Sequence, residues 1–170
     1  MTRNIEKIRD HQSISFEFFP PRTEEAVADL FNTIDVLKTY NPDFVSCTYG
    51  ALGTTRDTTV EVIERIHRET PLEPMCHLTV VAQTSAEVNA VLERLSESGI
   101  ENILALRGDP PKGDDEWKPT EGGFMYSVDL IDHIKKYFPH MGVGAACFPE
   151  GHLEAPSLEE DIKYAKMKLE

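Results

Sequence analysis

Short apolar runs and amphipathic stretches take turns along this chain of 170 residues, and the two kinds of segment carry different periods. Runs at 14–19, 44–48, 75–81, 102–106 and 142–148 are alternating or continuously apolar, and they predict β-strands. Between them, apolar residues recur three and four positions apart, which predicts helices that bury one face. The first helix covers 24–40, with Val27, Leu30, Phe31, Ile34 and Leu37 on its apolar face and Asn41-Pro42 as its terminator. The second covers 58–69, with Val62, Ile63 and Ile66 facing inward and Asp57 as its N-cap. A third opens on the capping box Thr84-Ser85-Ala86-Glu87 and closes at Gly99. The fourth spans 127–138, and the fifth starts at a second capping box, Ser157-Leu158-Glu159-Glu160, and continues to the last residue.

Strand and helix therefore alternate through five units whose strands start about every 30 residues, the rhythm of βαβ geometry and a parallel sheet. Two architectures share that rhythm. Five units amount to about five-eighths of a closed (β/α)8 barrel, which needs about 250 residues. An open doubly wound sheet, by contrast, is complete at this size. The final helix has no C-cap glycine, polar tail or further strand after it, so the sequence is expected to be an incomplete barrel if it is a barrel at all. No GxGxxG follows the first strand, so the dinucleotide fingerprint of a doubly wound domain is missing. The loop 107–123, with Pro110-Pro111, Gly113 and Gly122-Gly123, is too long to be only a connector.

Composition narrows the function classes. With 40% hydrophobic residues the chain can bury a real core, and a formal charge of −13 disfavours a nucleic-acid or anionic-membrane partner. No apolar run approaches a membrane span and the first residues lack the apolar core of a secretion signal, so a cytoplasmic location is expected. Cys47, Cys76 and Cys147 have no metal-ligand spacing, and their odd number argues against a disulfide framework. They are expected to be reduced thiols in or near the core, and no metal site is expected.

Polar groups collect where the strands end. Glu17 lies in Ser15-Phe16-Glu17-Phe18-Phe19-Pro20-Pro21-Arg22, inside an apolar run that a double proline stops. Burial among those phenylalanines would favour the protonated carboxyl, a group able to hold and donate a proton. Thr48 and Tyr49 end the second strand, His77 lies within the third, Arg107-Gly108-Asp109 follows the fourth, and Phe148-Pro149-Glu150-Gly151-His152 follows the fifth. In a parallel α/β layout these ends share one face, so one pocket can combine carboxylates, an imidazole, a guanidinium and aromatic surface. Each also has a plainer reading: Glu17 as a solvated edge residue, His77 as a core histidine, Arg107 and Asp109 as each other's partners.

These same segments resemble the N-terminal part of the methylenetetrahydrofolate reductase family. The matching stretches, in order, are Ser15 to Thr23, Val45-Ser46-Cys47-Thr48-Tyr49-Gly50-Ala51, His77-Leu78-Thr79, and Leu104-Ala105-Leu106-Arg107-Gly108-Asp109-Pro110. Glu121-Gly122-Gly123-Phe124-Met125-Tyr126-Ser127-Val128-Asp129-Leu130 and Phe148-Pro149-Glu150-Gly151-His152 complete the set. The resemblance implies an α/β fold, a (β/α)8 TIM barrel of which about five units are present. It implies FAD as cofactor, NADH or NADPH as hydride donor, and reduction of 5,10-methylenetetrahydrofolate to 5-methyltetrahydrofolate, with a folate substrate and a homo-oligomeric assembly.

Residue roles follow from the same resemblance. Glu17 matches a general acid that protonates the leaving nitrogen as the folate's five-membered ring opens, and Asp109 matches a catalytic aspartate beside flavin and pterin. Thr48, Tyr49, Ala51, His77, Arg107, Gly108 and Asp109 match flavin contacts. Tyr126, Ser127, Phe148, His152, Asp161 and Lys168 match the groups around the ribityl, diphosphate and adenosine portions. Phe148 stands where the family commonly has tyrosine, Ser127 where alanine is usual, and Tyr164 where a shorter polar residue is common. The alternative is a non-catalytic remnant, or a subunit that needs a partner to complete the barrel.

Overall fold

Each strand of this protein lies beside the strand that precedes it in sequence. The structure, a computed structural model, describes residues 12–49, 56–109 and 118–169. Its elements run β1 (Ser15–Phe18), α1 (Glu24–Leu37), a 3-10 turn (Lys38–Tyr40), β2 (Phe44–Cys47), α2 (Arg56–Glu69), β3 (Pro74–Thr79), α3 (Ser85–Glu97), β4 (Asn102–Leu106), α4 (Ser127–Tyr137), β5 (Gly142–Ala145) and α5 (Leu158–Met167). The five strands make one sheet in the order β1-β2-β3-β4-β5, and every pairing is parallel. A doubly wound sheet reverses direction at a switch point, so this unreversed order selects the winding of a barrel. Right-handed crossovers advancing always the same way put the helices on one face.

That face holds the core. Phe18, Val45, Cys47, Cys76, Leu78, Ile103 and Ala105 point into it from the strands and pack with Ile34, Val60, Ile63, Ile66, Val88, Leu92, Leu95, Leu130 and Ile134 from the helices. Most of these are fully buried, and each large aliphatic side chain contributes about 1.5–3 kcal/mol of apolar transfer. Strand alternation sends the next residues the other way, so Glu17, Ser46, Met75, His77, Thr79, Leu104 and Gly144 share the second face. A Cβ on Gly144 would stand 3.1 Å from Leu104 Cδ1 and 3.8 Å from Met75 Cε, so that face is closely packed at the β4–β5 side.

Local chemistry sets the element ends. Asn41 takes a left-handed φ of 50° and stops the first helical segment before Pro42. Thr84 Oγ1 accepts from Glu87 N–H at 3.2 Å while Glu87 Oε2 accepts from Thr84 N–H at 2.7 Å, the expected capping box. Ser157 caps α5 through Glu160 N–H at 3.2 Å, but the reciprocal half of the second box is replaced by a Glu160–Lys163 ion pair. Asp57 is inside the first turn of α2 rather than at its N-cap. β5 stops at Ala145, short of the expected 148, because its ladder partner β4 ends at Leu106 and the last register pair is Ala105–Ala145.

Candidate functional site

Parallel winding brings the C-terminal ends of all five strands to one edge of the sheet, and the polar residues of the second face meet near it. Glu17 and Ser46 are register partners across β1 and β2. Ser46 Oγ lies 3.5 Å from Glu17 Oε2, and His77 Nε2 lies 3.3 Å from the same oxygen. The His77 contact is at ion-pair distance but is not aligned as a hydrogen bond, so Nε2 remains a buried nitrogen with no hydrogen-bond partner among the described residues. Thr79 Oγ1, two residues further along the same face, is buried without a partner there as well. Burial pushes the His77 imidazole below its ordinary value, and the Glu17 carboxylate partly offsets that shift. A neutral imidazole offers one donor and one acceptor.

Glu17 corrects one expectation. Its flanking residues Phe16 and Phe18 point to the helix-covered face, because neighbours in a strand alternate. The Glu17 side chain is 53% exposed and its neighbours are Ser46 and His77, so the apolar burial read from the sequence is absent. Cys47 and Cys76 are buried thiols, Cys47 pushed up to about 12 by burial first and by Glu17 second. Cys76 is raised further by the same burial, so both stay protonated and unreactive. Cys147 is exposed, contrary to the near-core placement expected of it.

The second strand end divides. Thr48 is half-buried, with its N–H donating to Phe18 O at 2.9 Å and its carbonyl accepting from Thr59 Oγ1 at 3.0 Å. Tyr49 turns inward: it is 8% exposed, joins the core, and its hydroxyl reaches Gln83 Oε1 at 3.4 Å. Burial raises the Tyr49 phenol above its ordinary value. Gln83, itself buried, donates from Nε2 to Thr79 O at 2.5 Å, tying the end of β3 to Tyr49. Ala51 lies outside the described residues.

At the end of β4, Gly108 has φ +84°, and a Cβ there would meet Val81 Cγ1 at 2.6 Å. Only glycine permits that close turn. Arg107 Nε donates to Gly108 O at 3.2 Å, and the guanidinium forks onto the Glu154 carboxylate at 2.5 and 3.0 Å. That pairing holds Arg107 charged and Glu154 below the usual carboxylate range. Asp109 is exposed and contributes to the field at Arg107.

The remaining candidates lie in the β5–α5 loop and at the two helix starts. Phe148 and His152 meet edge to face with ring centres 4.8 Å apart. Asp161 Oδ2 accepts from His152 N–H at 2.9 Å, and Lys168 Nζ donates to Ala146 O at 3.0 Å, so both brace the loop from α5. Tyr126 is exposed and its ring lies 6.3 Å from that of Tyr164, while Ser127 is buried at the start of α4. Asp129 Oδ2 holds that start by accepting from Met125 and Tyr126 N–H at 3.0 and 2.8 Å.

Sequence reading missed Ser46, Thr79, Gln83 and Glu154. Ser46 and Thr79 carried a usable signal, since each stands two residues from a named candidate and so shares its face. Gln83 and Glu154 sit in irregular loops where no period points to them. No helix among the described residues is long and apolar enough to cross a membrane, and none of their His, Cys, Asp and Glu residues group as a metal site.

A family model described as methylenetetrahydrofolate reductase matches residues 1–170. The chain is 40% identical over 168 residues to "Methylenetetrahydrofolate reductase (NADH) 1" of Arabidopsis thaliana, covering 93% of this chain and 28% of that protein. It is 38% identical over 170 residues to the "5,10-methylenetetrahydrofolate reductase" of Salmonella typhimurium, covering 100% of this chain and 55% of that one. The Escherichia coli enzyme of the same name matches at 37% with the same coverage. The chain therefore spans 28% to 55% of the length of these relatives.

Proposed function

This chain belongs to the methylenetetrahydrofolate reductase family, and from that premise we propose that it forms the flavin- and folate-facing part of an NAD(P)H-dependent reductase of 5,10-methylenetetrahydrofolate. One observation carries the reading more than any other. Glu17, Ser46 and His77 converge on the second sheet face, at the edge where Arg107, Gly108 and Asp109 follow β4.

The residues suit FAD. His77 Nε2 and Thr79 Oγ1 are buried polar atoms without a hydrogen-bond partner among the described residues, and such atoms are costly unless a ligand satisfies them. Gly108, lacking a Cβ, lets the turn after β4 pack directly against Thr79 and Val81 beside them. FAD, when bound, supplies the two-electron carrier between nicotinamide and folate. His77, Thr79, Arg107 and Gly108 would hold and orient it, with Thr48, Tyr126, Ser127, Phe148, His152, Asp161 and Lys168 around its remaining length. Tyr49 would act from beneath, through Gln83 and Thr79, rather than by direct contact.

Glu17 would give its proton to the leaving nitrogen as the folate ring opens. The bound ligands, rather than Phe16 and Phe18, would surround its carboxyl and place it against the leaving nitrogen. Asp109 would accept hydrogen bonds from the pterin, and its charge would make the flavin harder to reduce.

Purification of the full chain with FAD tests this reading. The expected result is a yellow protein whose flavin absorbance bleaches with NADH or NADPH and returns on adding 5,10-methylenetetrahydrofolate. A preparation that takes up no flavin, or whose bleached flavin ignores the folate, contradicts it.

A further inference from the structure

Glu154 has no role in the reading above, yet it makes a two-bond contact with one of the residues central to it. Its carboxylate receives Arg107 Nη1 at 2.5 Å and Nη2 at 3.0 Å, the fork geometry that best fixes a guanidinium plane. The Arg107 side chain is 16% exposed and that of Glu154 is 53%, so the pair reaches from the strand end outward to the β5–α5 loop. Arg107 is held on a second edge by the bond from Nε to Gly108 O at 3.2 Å.

Glu154 is itself placed. Its N–H donates to His152 Nδ1 at 3.1 Å, Ala155 N–H donates to His152 O at 2.9 Å, and His152 N–H donates to Asp161 Oδ2 at 2.9 Å. A continuous set of bonds thus runs from α5 through His152 to Glu154 and on to Arg107 at the end of β4. Among the described residues, the charges facing Arg107 include those of Glu154 and Asp109, with the Tyr126 hydroxyl nearby. Strands β4 and β5 are already joined by their own ladder, so the fold does not need this ion pair to connect them. The Glu154 half is 53% exposed, so water can solvate Arg107 from that side when the carboxylate is neutralised, and the pair adds little to stability.

We propose that Glu154 is a positioning residue: it fixes the Arg107 guanidinium, and with it the β5–α5 loop, in the arrangement that receives the flavin. The proposal rests on the flavin reading of the site. Glu154 does not touch the cofactor and acts through Arg107.

FAD dissociation constants, measured on the full chain by quenching of flavin fluorescence, test it in a double-mutant cycle. Glu154→Gln keeps the shape but removes the charge and should weaken FAD binding about five- to tenfold. Arg107→Met should weaken it at least as much, and the double variant should be no weaker than Arg107→Met alone. Glu154→Asp, which keeps the charge, should recover part of the loss. Urea unfolding midpoints of the flavin-free proteins should match across parent and Glu154 variants. Unchanged affinity in Glu154→Gln, additive losses in the double variant, or a lowered flavin-free midpoint would each overturn the positioning role. A parent chain that binds no FAD would instead overturn the flavin reading itself.

Discussion

Gly108→Ala perturbs the turn on which the β4 end of the site depends, and its cost can be worked from two separate contributions. Gly108 holds φ at +84°, and the left-handed region costs an L-residue about 1–2 kcal/mol. The added Cβ would stand 2.6 Å from Val81 Cγ1 and 3.1 Å from Thr79 Cβ. Val81 is 2% exposed and Thr79 5%, so neither can yield toward solvent, and overpacking of this kind costs about 1–3 kcal/mol more. The total is about 2–5 kcal/mol, a large share of the stability of an ordinary domain. Gly122 supplies an internal control, because its φ is +73° but nothing lies within 4 Å of its missing Cβ. Gly122→Ala should therefore cost only the backbone strain, about 1–2 kcal/mol. Urea unfolding at constant m-value measures both. Gly108→Ala should have a clearly lower midpoint than Gly122→Ala, and FAD affinity should fall with it because Arg107 Nε is bonded to the carbonyl of this residue. Equal midpoints for the two variants would refute the steric argument and leave glycine at 108 explained by backbone conformation alone.

Asp109→Asn removes a charge that the proposed site sets beside the flavin. The flavin midpoint potential should rise, on the order of tens of millivolts, as read by equilibration with a reference dye; an unchanged or lowered potential counts against the electrostatic role. His77 gives a pH signature. Burial sets its folded value below the ordinary 6.5, so as pH falls the unfolded chain takes up the proton first. The stability that neutral His77 allows is full above about pH 6.5 and declines as pH drops below it. His77→Asn should flatten that decline in urea unfolding midpoints, with a residual slope from His133, which burial and then Lys136 shift the same way. A slope identical to that of the parent would remove His77 as its source.

Sequence period carried most of the architecture because helix and strand faces are set by local alternation. β4 matches the expected boundaries residue for residue, and Val62, Ile63 and Ile66 all lie in the core. The choice between barrel and doubly wound sheet did not lie in any local pattern, since strand order is a long-range property. The family resemblance favoured the barrel, and the unreversed order β1 to β5 agrees with it. The same distinction explains the site. Glu17, His77, Arg107 and Asp109 could be found as polar groups at strand ends, but the direction each faces depends on the pleat. Glu17 was expected among phenylalanines that stand on the opposite face. Tyr49 was named as a flavin contact from its place at a strand end, and its hydroxyl contact with Gln83, 34 positions away, had no local signal. Arg107 was weighed as a partner for Asp109, whereas its fork goes to Glu154, 47 positions on. Pairings across such separations are fixed by loop paths that no periodicity encodes.

Reoxidation of the reduced flavin reports on the proton transfer assigned to Glu17. Full chain loaded with FAD, as parent and as Glu17→Gln, would be bleached anaerobically with NADH or NADPH and then mixed with 5,10-methylenetetrahydrofolate while flavin absorbance is followed. The account predicts that both proteins bleach alike and that absorbance returns about 10²- to 10⁴-fold more slowly in Glu17→Gln, the usual span for loss of a general acid. Recovery of Glu17→Gln at the parental rate, or an equal loss in both half-reactions, would contradict it.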